Sequence, residues 1–286
     1  MTAPVIDRAA LRRNLRRALP TLAEADFLSR EVEARMLARL DYVRLQPGYV
    51  LDLGCGYGAS LSGLARCYPN AFCLGVDQEK LLFPGAKRAT EARNFLAAHA
   101  ERLPFLPESF DLVWANLLLP WLDDPHLLFQ EVFRLLKPGG LWLFSTLGPD
   151  TLKELRAGFS DDYPHTQRFI SLYDLGDSLF ATGFSDPVTD REILTVTYPN
   201  LAAFIKELRA AGAGCVMTNR RKSLAGRGLK TRLEAHAASL MQSCPDGRLP
   251  MTFEILQGSA WKPAGETDQS PPYPFRPIHI VSSRPQ

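Results

Sequence analysis

The stretch "YVLDLGCGYGAS", residues 49–60, decides the fold of this chain. In it an apolar run ends at Leu53, and glycines follow at three alternate positions, Gly54, Gly56 and Gly58, before a helical pattern begins. Glycine has no Cβ atom, so such a turn can tighten and can let a ligand lie against the backbone. A strand, a glycine-rich turn and a helix in this order predict a parallel α/β sheet that binds a nucleotide at the carboxyl ends of its strands.

Short apolar runs that alternate with helical patterns extend this unit along the chain. Further strands are expected at 71–77, 94–100, 110–116 and 141–147, with helices at 59–68, 79–92 and 125–136. The segment "KPGG", residues 137–140, is expected to end the last of these helices. Five strands joined by helices predict a parallel sheet that is covered on both faces. Two later strands, at 190–198 and 251–262, predict an antiparallel edge with lid helices.

The pattern divides the chain into four parts. Leucines spaced three or four apart predict helices near the N-terminus, and Pro20 is expected to separate two of them. The expected parts are an N-terminal helical lid over 1–45, a Rossmann-like core over 46–148, a half with lid helices and the antiparallel strand pair over 149–263, and a proline-rich tail over 264–286. The composition of the tail predicts disorder.

Composition is that of an ordinary globular protein, with 46% hydrophobic and 22% charged residues. No apolar stretch approaches the roughly 20 residues that span a bilayer, and the N-terminus lacks the apolar region of a secretory signal. Five cysteines without a CxxC pair predict reduced thiols in a cytoplasmic protein. Five scattered histidines show no metal-ligand spacing, so no metal is expected.

Basic residues are concentrated in two short segments, although the net charge is only +2. Residues 8–17 hold five arginines, and residues 220–232 hold six basic side chains. Two local clusters on a nearly neutral chain predict an anionic partner rather than a general affinity for nucleic acid or a membrane.

The end of the second predicted strand carries a carboxylate, Asp77, 25 residues after Asp52. A carboxylate there can accept hydrogen bonds from both ribose hydroxyls of a nucleoside, and NAD and S-adenosylmethionine both carry an adenosyl group. NAD sites commonly read GxGxxG, whereas the turn here reads GxGxG. Asp52 is expected to suit a cationic group, such as a sulfonium or an ammonium, better than a pyrophosphate.

Four successive motifs resemble those of the class I S-adenosylmethionine-dependent methyltransferases: "VLDLGCGYG", "LGVD", "ERLPF…SFDLVWANLLL" and "EVFRLLKPGGLWLFSTLG". The resemblance spans residues 49–147, with the motifs in the family's order. It implies a Rossmann-like, mostly parallel sheet of about seven strands, five of them parallel with a terminal antiparallel pair. It also implies S-adenosylmethionine as the cofactor.

The same resemblance implies which residues bind the cofactor. Those for the methionine portion are Asp52, Gly54, Cys55, Gly56 and Asn116. For the adenosine, Asp77 would hold the ribose, Gln78 would flank the adenine, and the backbone of Ala100 would meet its ring. His99 departs from the family, which usually carries an acid at that position, so the adenine amino group would lack its usual side-chain acceptor.

Stretches outside this core carry a narrower resemblance. "STLGPDTLKELR" (145–156), "LAGRG" (224–228) and "GRLPMTFEILQGSAWKP" (247–263) are similar to the malonyl-[acyl-carrier protein] O-methyltransferases of biotin synthesis. The implied reaction methylates the free carboxylate of a malonyl thioester on an acidic acyl carrier protein. Since a carboxylate is already ionised at neutral pH, no general base is required and no catalytic dyad is expected. Candidates for binding the acceptor or its carrier are Arg12, Arg13, Arg220 and Arg221.

Two other functions stay open from the sequence. One is a related class I methyltransferase with another small-molecule or protein acceptor. The other is a non-enzymatic assembly factor, because a mitochondrial complex I assembly protein resembles this chain through the same "DTLKEL" region. Leu15 and Leu22 also stand where the narrower family usually carries an aromatic residue and a tyrosine.

Overall fold

A single seven-stranded sheet organises the computed structural model, which describes residues 4–83, 94–223 and 227–264. The strands are β1 (Tyr49–Leu53), β2 (Phe72–Asp77), β3 (Phe95–Ala97), β4 (Phe110–Ala115), β5 (Leu136–Leu147), β6 (Ser185–Tyr198) and β7 (Leu249–Trp261). Their order in the sheet is β3-β2-β1-β4-β5-β7-β6. The first five pair in parallel, and β7 runs antiparallel to both β5 and β6. The expected Rossmann-like sheet with a terminal antiparallel pair is confirmed.

Nine α-helices connect or cover the strands in the described residues. The labelled helices are α1 (Arg8–Ala18), α2 (Leu22–Ala25), α3 (Phe27–Leu40), α4 (Ala59–Cys67), α5 (Pro125–Leu135), α6 (Lys153–Ala157), α7 (Leu172–Thr182), α8 (Leu201–Ala210) and α9 (Arg227–Ser243).

 Two 3-10 turns, Lys80–Leu82 and Leu119–Trp121, complete the helical segments of the described residues.

Two apolar cores lie on opposite faces of the sheet because neighbouring strand residues point to opposite sides. In β4, Leu112 and Trp114 pack in the core that contains residues of α3, α4 and α9. Val113 and Ala115 pack in the other core, with residues of α5 and α7. The sheet is therefore covered on both faces, as the apolar strand patterns predict.

The strand order reverses beside β1, which pairs with β2 on one side and with β4 on the other. In open α/β sheets such a reversal opens a crevice at the carboxyl ends of the strands, where ligands bind. The glycine-rich turn that follows β1 lies at this crevice. The fold thus sets the position of the candidate site.

Three sequence expectations differ from the structure or lie outside it. The helix ends at Leu135, just before "KPGG", but β5 begins at Leu136 rather than at 141, because Gly139 and Gly140 exchange backbone hydrogen bonds of 2.9 Å with Lys262. The helix expected over 79–92 is described only as far as residue 83, where it forms the turn Lys80–Leu82. The disorder predicted for 264–286 concerns residues that, from 265 onward, lie outside the described part of the chain.

The N-terminal helices occupy two different places. In α3, Val32 and Met36 are fully buried in the core on one face of the sheet. α1 and α2 instead pack against α8, away from the strands. No helix in the described ranges is both long enough and apolar enough to cross a bilayer.

Candidate active site

A cavity of about 330 Å³ lies at the carboxyl ends of β1, β2 and β4. Its floor comes from the loops that follow these strands, and its roof comes from α1, α2 and α8. Apolar side chains of the roof, Leu11, Leu15, Leu22 and Leu208, face the cavity. One continuous cavity therefore joins the glycine-rich turn to the helices above it.

The three glycines of the turn serve different purposes. All have positive φ, with 70° at Gly54, 56° at Gly56 and 82° at Gly58, a region that side chains disfavour. A Cβ atom at Gly54 would lie 2.8 Å from Leu118 Cδ1, and one at Gly58 would lie 2.8 Å from Phe95 Cζ. At Gly56 a Cβ atom would meet nothing within 4 Å, and Gly56 lines the cavity. Gly54 and Gly58 thus allow close protein packing, whereas Gly56 leaves space for a ligand.

Asp52, the last polar residue of β1, places an unpaired carboxylate at the cavity. Its side chain is 1% exposed, and Oδ2 has no hydrogen-bond partner among the described residues. Burial raises the pKa of Asp52 well above its usual value, and the nearby charges of Glu33 and Asp77 raise it further. A buried carboxylate without a counter-ion favours a cationic ligand group.

Asp77, at the end of β2, shapes the turn and also lines the cavity. Its Oδ2 accepts the Gly56 N–H at 3.0 Å, and its Oδ1 accepts the Glu79 N–H at 2.8 Å. Burial raises the pKa of Asp77, although these two hydrogen bonds act in the opposite direction. The carboxylate is thereby fixed at the edge of the cavity beside the open position at Gly56.

The eight residues predicted to bind the cofactor all line this one cavity: Asp52, Gly54, Cys55, Gly56, Asp77, Gln78, Ala100 and Asn116. Asn116 is held in place, because its Nδ2 donates to Ser29 O at 2.9 Å and its Oδ1 accepts from Ser145 Oγ at 2.7 Å. His99, the departure from the family, also lines the cavity. Burial raises the pKa of the Cys55 thiol well above its usual value, so the thiol is neutral at pH 7.

The four arginines predicted to bind the acceptor or carrier lie away from the cavity walls. Arg12 pairs with Glu79 at 2.8 Å, and Arg220 pairs with Asp7 at 3.0 Å. Arg221 pairs with Asp161 at 3.3 Å. Arg13 is exposed on α1.

The ion pairs of Arg12 and Arg220 attach α1 to the rest of the molecule. Asp7 caps α1 by accepting the Ala10 N–H, and its own N–H donates to Val216 O at 2.7 Å. Arg220 then pairs with the same Asp7. The two basic segments, distant in sequence, therefore meet at the start of the roof helix.

Arg8 is a site residue that the sequence did not single out. It lines the cavity and donates to Gln78 Oε1 at 2.6 Å and to Asp123 Oδ2 at 2.8 Å. A longer contact of 3.5 Å joins it to Glu101. Sequence reasoning counted Arg8 only as one member of a basic cluster, since its partners come from the ends of other strands.

The far end of the cavity is walled by Gln167, Tyr198 and Glu207, which the sequence also left unassigned. The Tyr198 hydroxyl donates to Glu207 Oε1 at 2.7 Å. Burial and the neighbouring Glu207 raise the pKa of Tyr198, so the hydroxyl keeps its proton at neutral pH. No spacing rule links these residues to the glycine turn.

The charge of the cavity walls is predominantly negative. Carboxylates are contributed by Asp26, Asp52, Asp77, Glu101 and Glu207. Arg8 is the one arginine or lysine that lines the cavity within the described ranges, and its guanidinium is already paired. Such a cavity suits a ligand that brings its own positive charge.

Known proteins match this chain in the core and over nearly its whole length. Residues 51–144 match a family described as "Methyltransferase domain". A malonyl-[acyl-carrier protein] O-methyltransferase of Methylovorus sp. is 39% identical over 96% of this chain and 97% of that protein. Another, from Laribacter hongkongensis, is 40% identical over 90% of each chain.

Solved structures share the fold at low sequence identity. The YcgJ protein of Bacillus subtilis has a TM-score of 0.58 and 17% identity, and the match covers 81% of this chain and all (100%) of that one. A putative methyltransferase of Bacillus halodurans has a TM-score of 0.54 and 18% identity, over 79% of this chain and 98% of that one.

Proposed function

The chain belongs to the malonyl-[acyl-carrier protein] O-methyltransferase family, and from this premise we propose that it methylates the free carboxylate of a malonyl group carried as a thioester on an acyl carrier protein. The methyl donor is S-adenosylmethionine. Methylation removes the negative charge of the malonyl end, so that fatty-acid enzymes can extend the product as a primer for biotin synthesis.

One observation carries the proposal: the open position at Gly56 lines the same cavity as the buried carboxylate of Asp52, whose Oδ2 has no partner among the described residues. When bound, S-adenosylmethionine supplies an electrophilic methyl group on a positively charged sulfur. The cavity fits this cofactor because its walls carry an excess of carboxylates. A dinucleotide would bring two phosphate charges to the same carboxylates, which is unfavourable.

The residues that we propose for the cofactor follow from their places around the cavity. Asp77 holds the ribose hydroxyls, since its carboxylate is fixed beside the glycine turn. Gln78 and Ala100 border the adenine, and Asn116 borders the methionine portion with Asp52 and Gly54. The neutral Cys55 thiol leaves the methyl group to the acceptor, because a thiol is a far weaker nucleophile than a thiolate.

The chain needs to supply position and exclusion of water rather than acid–base chemistry. A malonyl carboxylate, with a reference pKa of about 4, is ionised at pH 7, so no proton has to be removed. The apolar roof residues Leu11, Leu15 and Leu22 keep the cavity dry. Leu15 and Leu22 thus cover the site although the family usually carries aromatic side chains there.

A neutral donor at the far end of the cavity orients the acceptor in this proposal. The Tyr198 hydroxyl donates its single proton to Glu207, whereas the Gln167 amide donates one N–H to Gly214 O at 3.0 Å and keeps a second N–H for a ligand. A neutral donor can align a carboxylate without the strong charge neutralisation that an arginine fork would impose. We therefore assign acceptor positioning to Gln167.

The outer face of α1 suits an acidic carrier protein. Arg13, Arg16 and Arg17 are exposed, and the described residues provide no ion-pair partner for them. The inner face of the same helix closes the cavity through Leu11 and Leu15. An acidic carrier that docks on α1 would therefore sit next to the cavity that receives its acyl group.

Complementation tests this function. A biotin-requiring strain that lacks its own malonyl-[acyl-carrier protein] O-methyltransferase should grow without biotin when it expresses this chain. The matched control is Asp77→Ala, which should fail to restore growth at equal protein level. Failure of the wild-type chain to restore growth, with folded protein present, would contradict the proposal.

A further inference from the structure

A second cavity, of about 310 Å³, adjoins the far end of the first. It is walled mainly by the segment between α6 and α7, with Met217. Gln167 lines both cavities, so the two meet at that residue. None of the eight residues assigned to the cofactor lines this second cavity.

The second cavity is cationic, in contrast to the first. Arg156, Arg168 and His165 line it, and Asp161 is the one acidic residue among its described walls. Asp161 is already paired, with His165 Nε2 at 2.5 Å and with Arg221 at 3.3 Å. The positive charge of the two arginines is therefore not balanced within the cavity.

The two arginines are available to an anion for different reasons. Arg156 donates to the backbone carbonyls of Thr151 and Pro149, which are neutral, so its charge is kept. Arg168 is exposed, and the described residues offer it no hydrogen-bond or ion-pair partner. Arginine guanidinium groups bind phosphate oxygens in two parallel hydrogen bonds.

The wall between the cavities is thin. Thr151, whose carbonyl accepts from Arg156, lines the first cavity. Phe169 lines it too, and the Arg156 guanidinium lies 5.9 Å from the centroid of that ring. The cationic cavity therefore lies directly behind the end at which the acceptor is proposed to bind.

We propose that the second cavity binds the phosphate of the phosphopantetheine arm that links the acyl group to its carrier protein. This inference rests on the proposed function, because it takes the acceptor to be a carrier-bound thioester. The malonyl end occupies the first cavity, the arm leaves past Gln167, and the phosphate meets Arg168 and Arg156.

Binding of two small ligands tests the inference without any methyl transfer. The affinities of 4′-phosphopantetheine and of pantetheine, which lacks the phosphate, are measured by titration calorimetry on the full chain. The variants are Arg168→Glu and, as a matched control, Arg44→Glu, an exposed arginine that precedes the amino end of β1 and lines neither cavity. Arg168→Glu should weaken phosphopantetheine binding about tenfold or more and leave pantetheine binding unchanged, whereas the control should change neither.

Three results would overturn the inference: no saturable binding of phosphopantetheine, equal wild-type affinity for the two ligands, or equal losses in Arg168→Glu and the control. A rise in the KM for malonyl-carrier protein with unchanged phosphopantetheine binding would also overturn it, because Arg168 would then contact the body of the carrier. Phosphate-dependent binding in a chain that transfers no methyl group would contradict the proposed function and leave the phosphate site standing.

Discussion

Replacing two neighbouring glycines by alanine separates the part of the turn that packs from the part that receives a ligand. Gly56→Ala adds a methyl group to the cavity, where it meets no protein atom within 4 Å. Gly58→Ala adds the same group 2.8 Å from Phe95 Cζ and 2.9 Å from Cε1. The two variants are matched in chemistry and in the sign of φ, and they differ in what the new atom meets.

The expected loss of stability differs between the two variants. Each places an alanine in the left-handed region, which costs about 1–2 kcal/mol. Gly58→Ala also overpacks the site against Phe95, and overpacking costs about 1–3 kcal/mol more. Because each kcal/mol shifts the Tm of a chain of this size by about 2–4 °C, Gly58→Ala should melt roughly 2–12 °C below Gly56→Ala without ligand.

The expected loss of cofactor affinity runs in the opposite order. In Gly56→Ala the new methyl group occupies space that the cofactor is proposed to fill, with a cost of about 1–3 kcal/mol by the same overpacking argument. That cost corresponds to a Kd for S-adenosylmethionine about 5- to 150-fold higher than in the wild type. Gly58→Ala should lose less, because Gly58 packs on protein and does not line the cavity.

Thermal melting without ligand and titration calorimetry with S-adenosylmethionine measure the two effects independently. The reasoning is refuted if Gly56→Ala binds the cofactor as the wild type does, since the open space at that position would then not be the binding space. It is also refuted if Gly56→Ala is the less stable of the two variants.

Four further predictions concern charged residues. Burial raises the pKa of Asp52 in the folded chain, so the stability of the ligand-free chain falls as the pH rises above about 4, the pKa of an aspartate in the unfolded chain. Asp52→Asn should therefore raise the Tm at pH 7, and this gain should vanish near pH 4. An equal gain in Tm at both pH values would count against this prediction. Asp77→Ala should weaken cofactor binding by about 1–3 kcal/mol in calorimetry, and an unchanged Kd would exclude the ribose contact. Arg8→Ala should speed hydrogen exchange in α1, because the Arg8–Asp123 ion pair that helps to hold this helix is lost. The expected loss is only about 1 kcal/mol, since that ion pair is partly exposed. Unchanged exchange would show that Arg8 does not hold α1 in place. The double variant Arg16→Glu and Arg17→Glu should lower kcat/KM for malonyl-carrier protein by about tenfold at low salt, while its affinity for the cofactor stays constant. A loss of kcat/KM that does not depend on salt would argue against carrier docking on α1.

Local patterns were sufficient to predict the sheet and the cofactor end of the site. Each strand is a short apolar run between turn signals, and the glycines after β1 mark a turn that only a few folds use. The carboxylates Asp52 and Asp77 are read directly from their places at strand ends. These features depend on neighbours in sequence, which is why a single sequence reveals them.

Features that depend on distant partners could not be predicted. Tyr198 and Glu207 become part of the site because α8 folds over the crevice. Arg12 and Arg220 are predicted to bind the acceptor or its carrier, and a basic cluster in sequence does not reveal the counter-ions that these side chains have in the structure, Glu79 and Asp7. The different roles of the three glycines also depend on two distant residues. These are Leu118, in the loop after β4, and Phe95, the first residue of β3.

The most direct test of the central claim uses S-adenosylmethionine with a trideuterated methyl group and the intact mass of the carrier protein. After incubation with this chain, malonyl-carrier protein should gain one trideuterated methyl group in place of hydrogen, on the malonyl carboxylate and removable by ester hydrolysis. Acetyl-carrier protein, which has no free carboxylate, should gain nothing. An unchanged malonyl-carrier mass, with a chain that binds the cofactor, would contradict the account, and so would label on the acetyl-carrier control.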